Sequence, residues 1–106
     1  MKKQSAEKVT AVIELKITPA KDTGFAKIAR RVARYPQVDA CFLMSGAYDL
    51  LVFVNGESLQ DVAQFVAAEL STIEGVLSTA THFMLKTYKA KGVLEDFAGD
   101  SRLAIV

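Results

Sequence analysis

Tryptophan is absent from this 106-residue chain, which also has a single cysteine, a single histidine and two prolines. Each scarcity removes a class of chemistry. One thiol, Cys41, forms no internal disulfide, so the chain is not stapled in the manner of a small secreted domain. It sits in an apolar, strand-like run, which points to an inert packed thiol rather than a nucleophile. With His82 as the sole histidine there is no Cys/His cluster at metal-ligand spacing, and neither a Ser/His/Asp, a Cys/His nor a paired-carboxylate arrangement stands out. No metal, no cofactor and no catalytic residue are therefore expected. Glycine-rich phosphate loops are missing as well. An excess of charge of one sign is also lacking: thirteen Lys and Arg against twelve Asp and Glu leave +1, which offers no broad footprint for nucleic acid. The one basic cluster, Lys27, Arg30, Arg31 and Arg34 in "KIARRVAR", has the spacing of a solvated helix face. No apolar run approaches the roughly 18 residues that cross a bilayer. The N-terminal "MKKQSAEK" leads into an alternating strand, not the apolar stretch of a secretory signal. A cytoplasmic protein with no membrane partner is expected.

What the chain does have is a 51% share of hydrophobic residues, which at this length supports one domain with a buried core. Residues 9 to 18, "VTAVIELKIT", alternate with period two, placing Ala11, Ile13, Leu15 and Ile17 on one face and predicting a half-buried strand. After Pro19 the period changes: Phe25, Ile28, Ala29 and Val32 define a helix stripe, with Asp22 or Thr23 as its cap and Pro36 as its stop. A second strand is expected at about Val38 to Ser45 and a third at Asp49 to Asn55, the latter apolar on both faces and hence central. Ser58 with Asp61 resembles a capping box, opening a helix striped by Leu59, Val62, Ala63, Val66, Leu70 and Ile73 and closed at Gly75. A last strand starts at Val76 and meets no breaker before Gly92. Its thirteen residues to Tyr88 exceed the usual strand length.

The order strand, helix, strand, strand, helix, strand predicts an α+β, ferredoxin-like βαββαβ sandwich, an antiparallel four-stranded sheet with two helices on one face. The other face, including Val12 and the apolar third strand, is then bare. A soluble monomer rarely leaves such a patch uncovered, so a partner subunit is expected. His82, flanked by apolar neighbours, reads as a packed or hydrogen-bonded core histidine. Between the second and third strands lies Ser45-Gly46-Ala47-Tyr48-Asp49. It is either a plain hairpin turn with a solvated aspartate, or a tight turn whose N–H groups hold an anion beside a carboxylate that needs a partner.

The run "YPQVDACFLMSGAYDLLVFV", with its Gly-x-x-Asp turn, followed one helix later by "IEGVLSTATHFMLKTYK", resembles the ligand-sensing domain of the Lrp/AsnC family of transcriptional regulators. The match covers about residues 9 to 90, leaving 1–8 as a polar extension and 91–106 as a tail in which Val93, Leu94 and Phe97 form a short docked helix or a disordered end. The resemblance implies a dimeric α+β barrel, pairing by the open sheet faces. It further implies assembly into rings, often octamers built as tetramers of dimers, and an amino acid or related small-molecule effector bound between neighbouring dimers. Carried over by position, the pocket uses Gly46, Ala47, Tyr48 and Asp49 with Ser78, Thr79 and Thr81, and Phe83 and Met84 belong to the ligand-responsive region. Family members that act as transcription factors carry a helix-turn-helix domain before this one, whereas about eight polar residues precede the first strand here. The expectation is a sensing and oligomerisation domain, not an enzyme, that makes no direct DNA contact and acts either as part of a longer regulator or by mixed assembly with full-length relatives. The alternatives are a small dimeric α+β barrel enzyme of the monooxygenase type, with His82 or Tyr48 as its chemical group, an ACT-type module, and a purely structural assembly domain.

Overall fold

The computed structural model describes residues 8–18 and 24–95. The alternating segment forms β1 (Val9–Ile17), and its apolar parity lies wholly inside: Ala11, Ile13, Leu15 and Ile17 are all buried. Helix α1 (Ala26–Ala33) presents Ile28 and Val32 to the same core, with Phe25 and Ala29 packed at its margin. Phe25 stands at the N-cap without a side-chain capping bond, and the expected caps Asp22 and Thr23 lie outside the described residues. Strand β2 (Val38–Leu43) ends two residues before Ser45, and β3 (Leu50–Gly56) alternates buried Leu50, Val52 and Val54 with half-buried Leu51 and Phe53. In α2 (Leu59–Phe65), Ser58 caps the start by accepting a hydrogen bond from the Asp61 N–H at 3.0 Å. That bond is the capping half of the predicted box.

The second helix departs from the expected stripe. After Phe65 the chain widens into a π-helical turn, Val66–Leu70, closed by Ser71 N–H donating to the Val66 carbonyl at 2.8 Å. Phe65 and Val66, consecutive where the α-helix passes into the wider turn, both enter the core. Leu59, by contrast, is exposed.

The sheet runs β2-β3-β1-β4, all neighbours antiparallel. Both helices pack on the face that carries Ile13, Leu15, Leu50 and Val52, each such side chain contributing about 1.5–3 kcal/mol of burial. This is the ferredoxin-like α+β sandwich, with β1 and β3 at its centre. β4 (Val76–Phe83) is shorter than the thirteen residues expected. Its ladder with β1 stops at the Ala11–Phe83 pair, followed by the Met84 N–H bond to Thr10. Beyond it, β5 (Lys89–Ala90) and β6 (Val93–Leu94) form a small hairpin, so Val93 and Leu94 are strand and not helix; Phe97 lies outside the described residues.

On the other face, Val12, Phe42, Leu51 and Phe53 are covered by neither helix, and Phe42 meets Phe53 edge to face with centroids 6.1 Å apart. His82 is also there. Its Nε2 lies 3.3 Å from Glu14 Oε2, and its side chain is 59% exposed, so the core histidine expected from its apolar sequence neighbours is corrected. Strand alternation sends Thr81 and Phe83 to the helix side and His82 to the bare side.

Candidate functional site

The turn between β2 and β3 lies at the end of the sheet where β1 finishes. Met44 N–H donates to the Asp49 carbonyl at 2.8 Å and closes a six-residue connection. Within it Gly46 takes φ +119, a conformation that L side chains rarely adopt, and a Cβ there would meet nothing within 4 Å. The glycine is thus required by backbone conformation and not by crowding within the chain.

Three consecutive residues of β1 hold this turn. Leu15 O accepts from Asp49 N–H at 2.9 Å, Lys16 Nζ donates to the Ala47 carbonyl at 2.9 Å, and Ile17 N–H donates to Asp49 Oδ2 at 2.8 Å. The last bond explains the aspartate. The β1–β3 register ends at the Leu15–Leu50 pair, so Ile17 N–H points past the end of β3, and the Asp49 carboxylate stands where a strand carbonyl would otherwise accept. One oxygen of Asp49 is thereby committed to shape. The other has no partner among the described residues.

The predicted site residues on β4 fall on two sides of the sheet. Ser78 is paired with Lys16 just before a register shift in the β1–β4 ladder, and it shares the bare face with the lysine. Thr79 and Thr81 are paired with Leu15 and Ile13, both buried, and face the helices. They line a depression of about 310 Å³ with Ala63, Val66, Ala67, Ser71 and Phe83, beside the π-helical turn. Within one chain, therefore, the turn and Ser78 come together at one end of the sheet, while Thr79 and Thr81 open elsewhere. The side-chain hydroxyls of all three make no hydrogen bond among the described residues. Phe83 borders the depression, and Met84 is exposed beyond it. Lys16 was the contact that sequence reasoning missed, since alternation marks it only as polar.

A larger cleft, about 810 Å³, opens at the opposite end of the sheet between α2 and the end of β3, with Val54, Val62 and Phe65 as its floor and Glu57, Asp61 and Glu69 at its rim. Cys41 is half-buried on β2, and desolvation pushes its thiol pKa up. That is the direction of an unreactive thiol. Among the described residues no group of three metal-ligating side chains comes together, and no helix is long and apolar enough to cross a membrane.

The model of the Lrp/AsnC ligand binding domain matches residues 10–94. The chain belongs to the Lrp/AsnC ligand-binding domain family. Among its relatives, the HTH-type transcriptional regulator YugG of Bacillus subtilis is 45% identical over 100 residues, covering 94% of this chain and 60% of that protein. The chain thus spans about 60% of that relative's length. A Neisseria meningitidis transcriptional regulator, solved as a complex with L-Met, is 26% identical with a TM-score of 0.71, covering 90% of this chain and 62% of that one. Escherichia coli AsnC, 20% identical with a TM-score of 0.73 and coverage of 84% and 58%, shares the fold. The family resemblance carried by the Gly-x-x-Asp turn and the threonine-bearing strand is borne out. The relatives are transcriptional regulators rather than enzymes.

Proposed function

We propose that this domain senses a free amino acid at the Gly46–Asp49 turn and assembles through the bare face of its sheet. The observation that carries the reading is the turn: a glycine at φ +119 followed by a carboxylate with one oxygen tied to Ile17 and one left over. A free amino acid brings a carboxylate and an ammonium. The turn amides suit the first and the spare Asp49 oxygen suits the second. The L-Met bound by the Neisseria regulator supports the amino-acid class.

Thr79 and Thr81 join this site when a neighbouring copy supplies them, because in their own chain they face α2. A site shared between chains makes binding sensitive to assembly, and assembly to binding, by linkage. The apolar patch of Val12, Phe42, Leu51 and Phe53 supports a homodimer through the sheet, in the manner of a dimeric α+β barrel. Octamers, as tetramers of dimers, extend that pairing. The domain reaches DNA through a longer regulator or by mixed assembly with full-length relatives, and it binds duplex DNA in neither case by itself. An enzymatic role finds no support in His82, which pairs with Glu14 opposite Val12 and away from the turn.

Calorimetric titration with each of the twenty amino acids tests the sensing role, with at least one expected to bind; silence from all twenty removes it. Light scattering at micromolar concentration tests the assembly, with a dimer or larger expected. A monomer overturns that part.

A further inference from the structure

We infer that Lys16 is the residue that recognises the effector's α-carboxylate, and that the site consequently selects free acids over their amides. The inference rests on the amino-acid-sensing reading above and names the group that gives it selectivity. Of the three β1 contacts that hold the turn, one is a backbone bond that continues the ladder and one joins the Ile17 N–H to the Asp49 carboxylate. The middle one brings a cation. Lys16 is exposed, and its ammonium donates to the Ala47 carbonyl at 2.9 Å.

Its charge is unanswered. Lys16 forms no ion pair with any carboxylate among the described residues, Asp49 included. Of its three N–H donors one serves Ala47, which leaves two for whatever occupies the turn. Ser78, its register partner on the same face, adds a hydroxyl. The turn therefore carries a cation at Ala47 and a half-free carboxylate two residues on at Asp49, opposite charges on one short segment. A zwitterion fits that arrangement with each of its charges set against an opposite one. An amine without a carboxylate leaves Lys16 unpaired, and a carboxamide offers it no anion.

The test titrates the parent, Lys16→Met and Lys16→Arg with the twenty L-amino acids and their α-carboxamides at about pH 6, where acid and amide both keep their ammonium. The parent is expected to bind its preferred acid at least about tenfold more tightly than the matching amide, the size of one charge-assisted contact. In Lys16→Met, whose side chain has nearly the same length, acid and amide should differ by less than about twofold. Lys16→Arg should keep the preference. Hydrogen exchange of the unliganded proteins gives a separate reading of the clasp, with faster exchange expected at residues 46–49 in Lys16→Met alone. Equal affinity of the parent for acid and amide overturns the assignment of Lys16 while leaving amino-acid sensing intact. An undiminished preference in Lys16→Met overturns it too. No binding of any acid by the parent overturns the sensing reading and this inference together.

Discussion

Two chain reversals in this domain place a glycine at positive φ with open space where a Cβ would stand, and they differ in what holds them. At Lys91-Gly92 both central residues have positive φ, 52 and 78, the backbone of a two-residue hairpin. That hairpin is secured by a ladder of two residues per strand and the Glu95 N–H bond to the Tyr88 carbonyl. At Gly46 the chain reverses just as sharply, but the turn is additionally tied to a third strand by a backbone amide, a carboxylate and an ammonium. Reversing a chain needs only the first kind of turn. In the proposed function, the extra polar ties, two of them from side chains with capacity left over, are what fits this turn to hold an effector where the other merely returns the chain.

The strongest way to break this comparison is to place valine at each glycine. Both substitutions impose strain of about 1–3 kcal/mol, the cost of a β-branched residue in a sparsely populated backbone region. Gly46→Val should abolish effector binding by calorimetry while light scattering still reports the parent's assembly, and Gly92→Val should leave affinity within about twofold. Equal effects on affinity would make the two turns alike. Asp49 comes next. Asp49→Ala leaves Ile17 N–H without its acceptor, a cost of about 1–3 kcal/mol that should lower Tm by at least about 4 °C. Asp49→Asn keeps an acceptor oxygen but no charge, so it should weaken binding of an amino acid about tenfold or more with a smaller change in Tm. Thr81→Val, which removes one neutral hydroxyl from the α2-side depression, should cost about two- to tenfold in affinity with Tm little changed. The smallest expected effect is at Cys41. Burial raises its thiol pKa, so at about pH 8 less of it is thiolate than in the unfolded chain, and iodoacetamide should label it more slowly in buffer than in urea. Matching rates would contradict the packing of β2 on the core.

Where one residue's pattern decides its environment, the sequence was readable. β1 alternates cleanly, and all four of its inward residues are buried; Ile28 and Val32 follow from the same logic in α1. The misreadings come from features that depend on partners distant in sequence. β4 has no breaker before Gly92, yet its ladder with β1 ends at the Ala11–Phe83 pair, while β1 itself runs on to Val9 against β3. Leu59 fits an ideal helical stripe, but it stands in the first turn of α2, where it is exposed, while Phe65 at the other end of the helix is buried. His82 was judged by neighbours that alternation sends to the opposite face. At the site, the glycine and the aspartate of the turn were visible as a motif. Their attachment to β1 was not, because the Asp49–Ile17 and Lys16–Ala47 bonds span 32 and 31 residues, and nothing local in the sequence signals either one.

The central claim is that the tied turn is where the effector binds. Amide chemical-shift mapping of the 15N-labelled protein, titrated with the amino acid that calorimetry finds to bind most tightly, tests it directly. The account predicts that the shifts concentrate at Gly46–Asp49 and at Ser78–Thr81. Shifts confined to the opposite end of the sheet, in the cleft of Asn55, Glu57, Asp61 and Phe65, would contradict it.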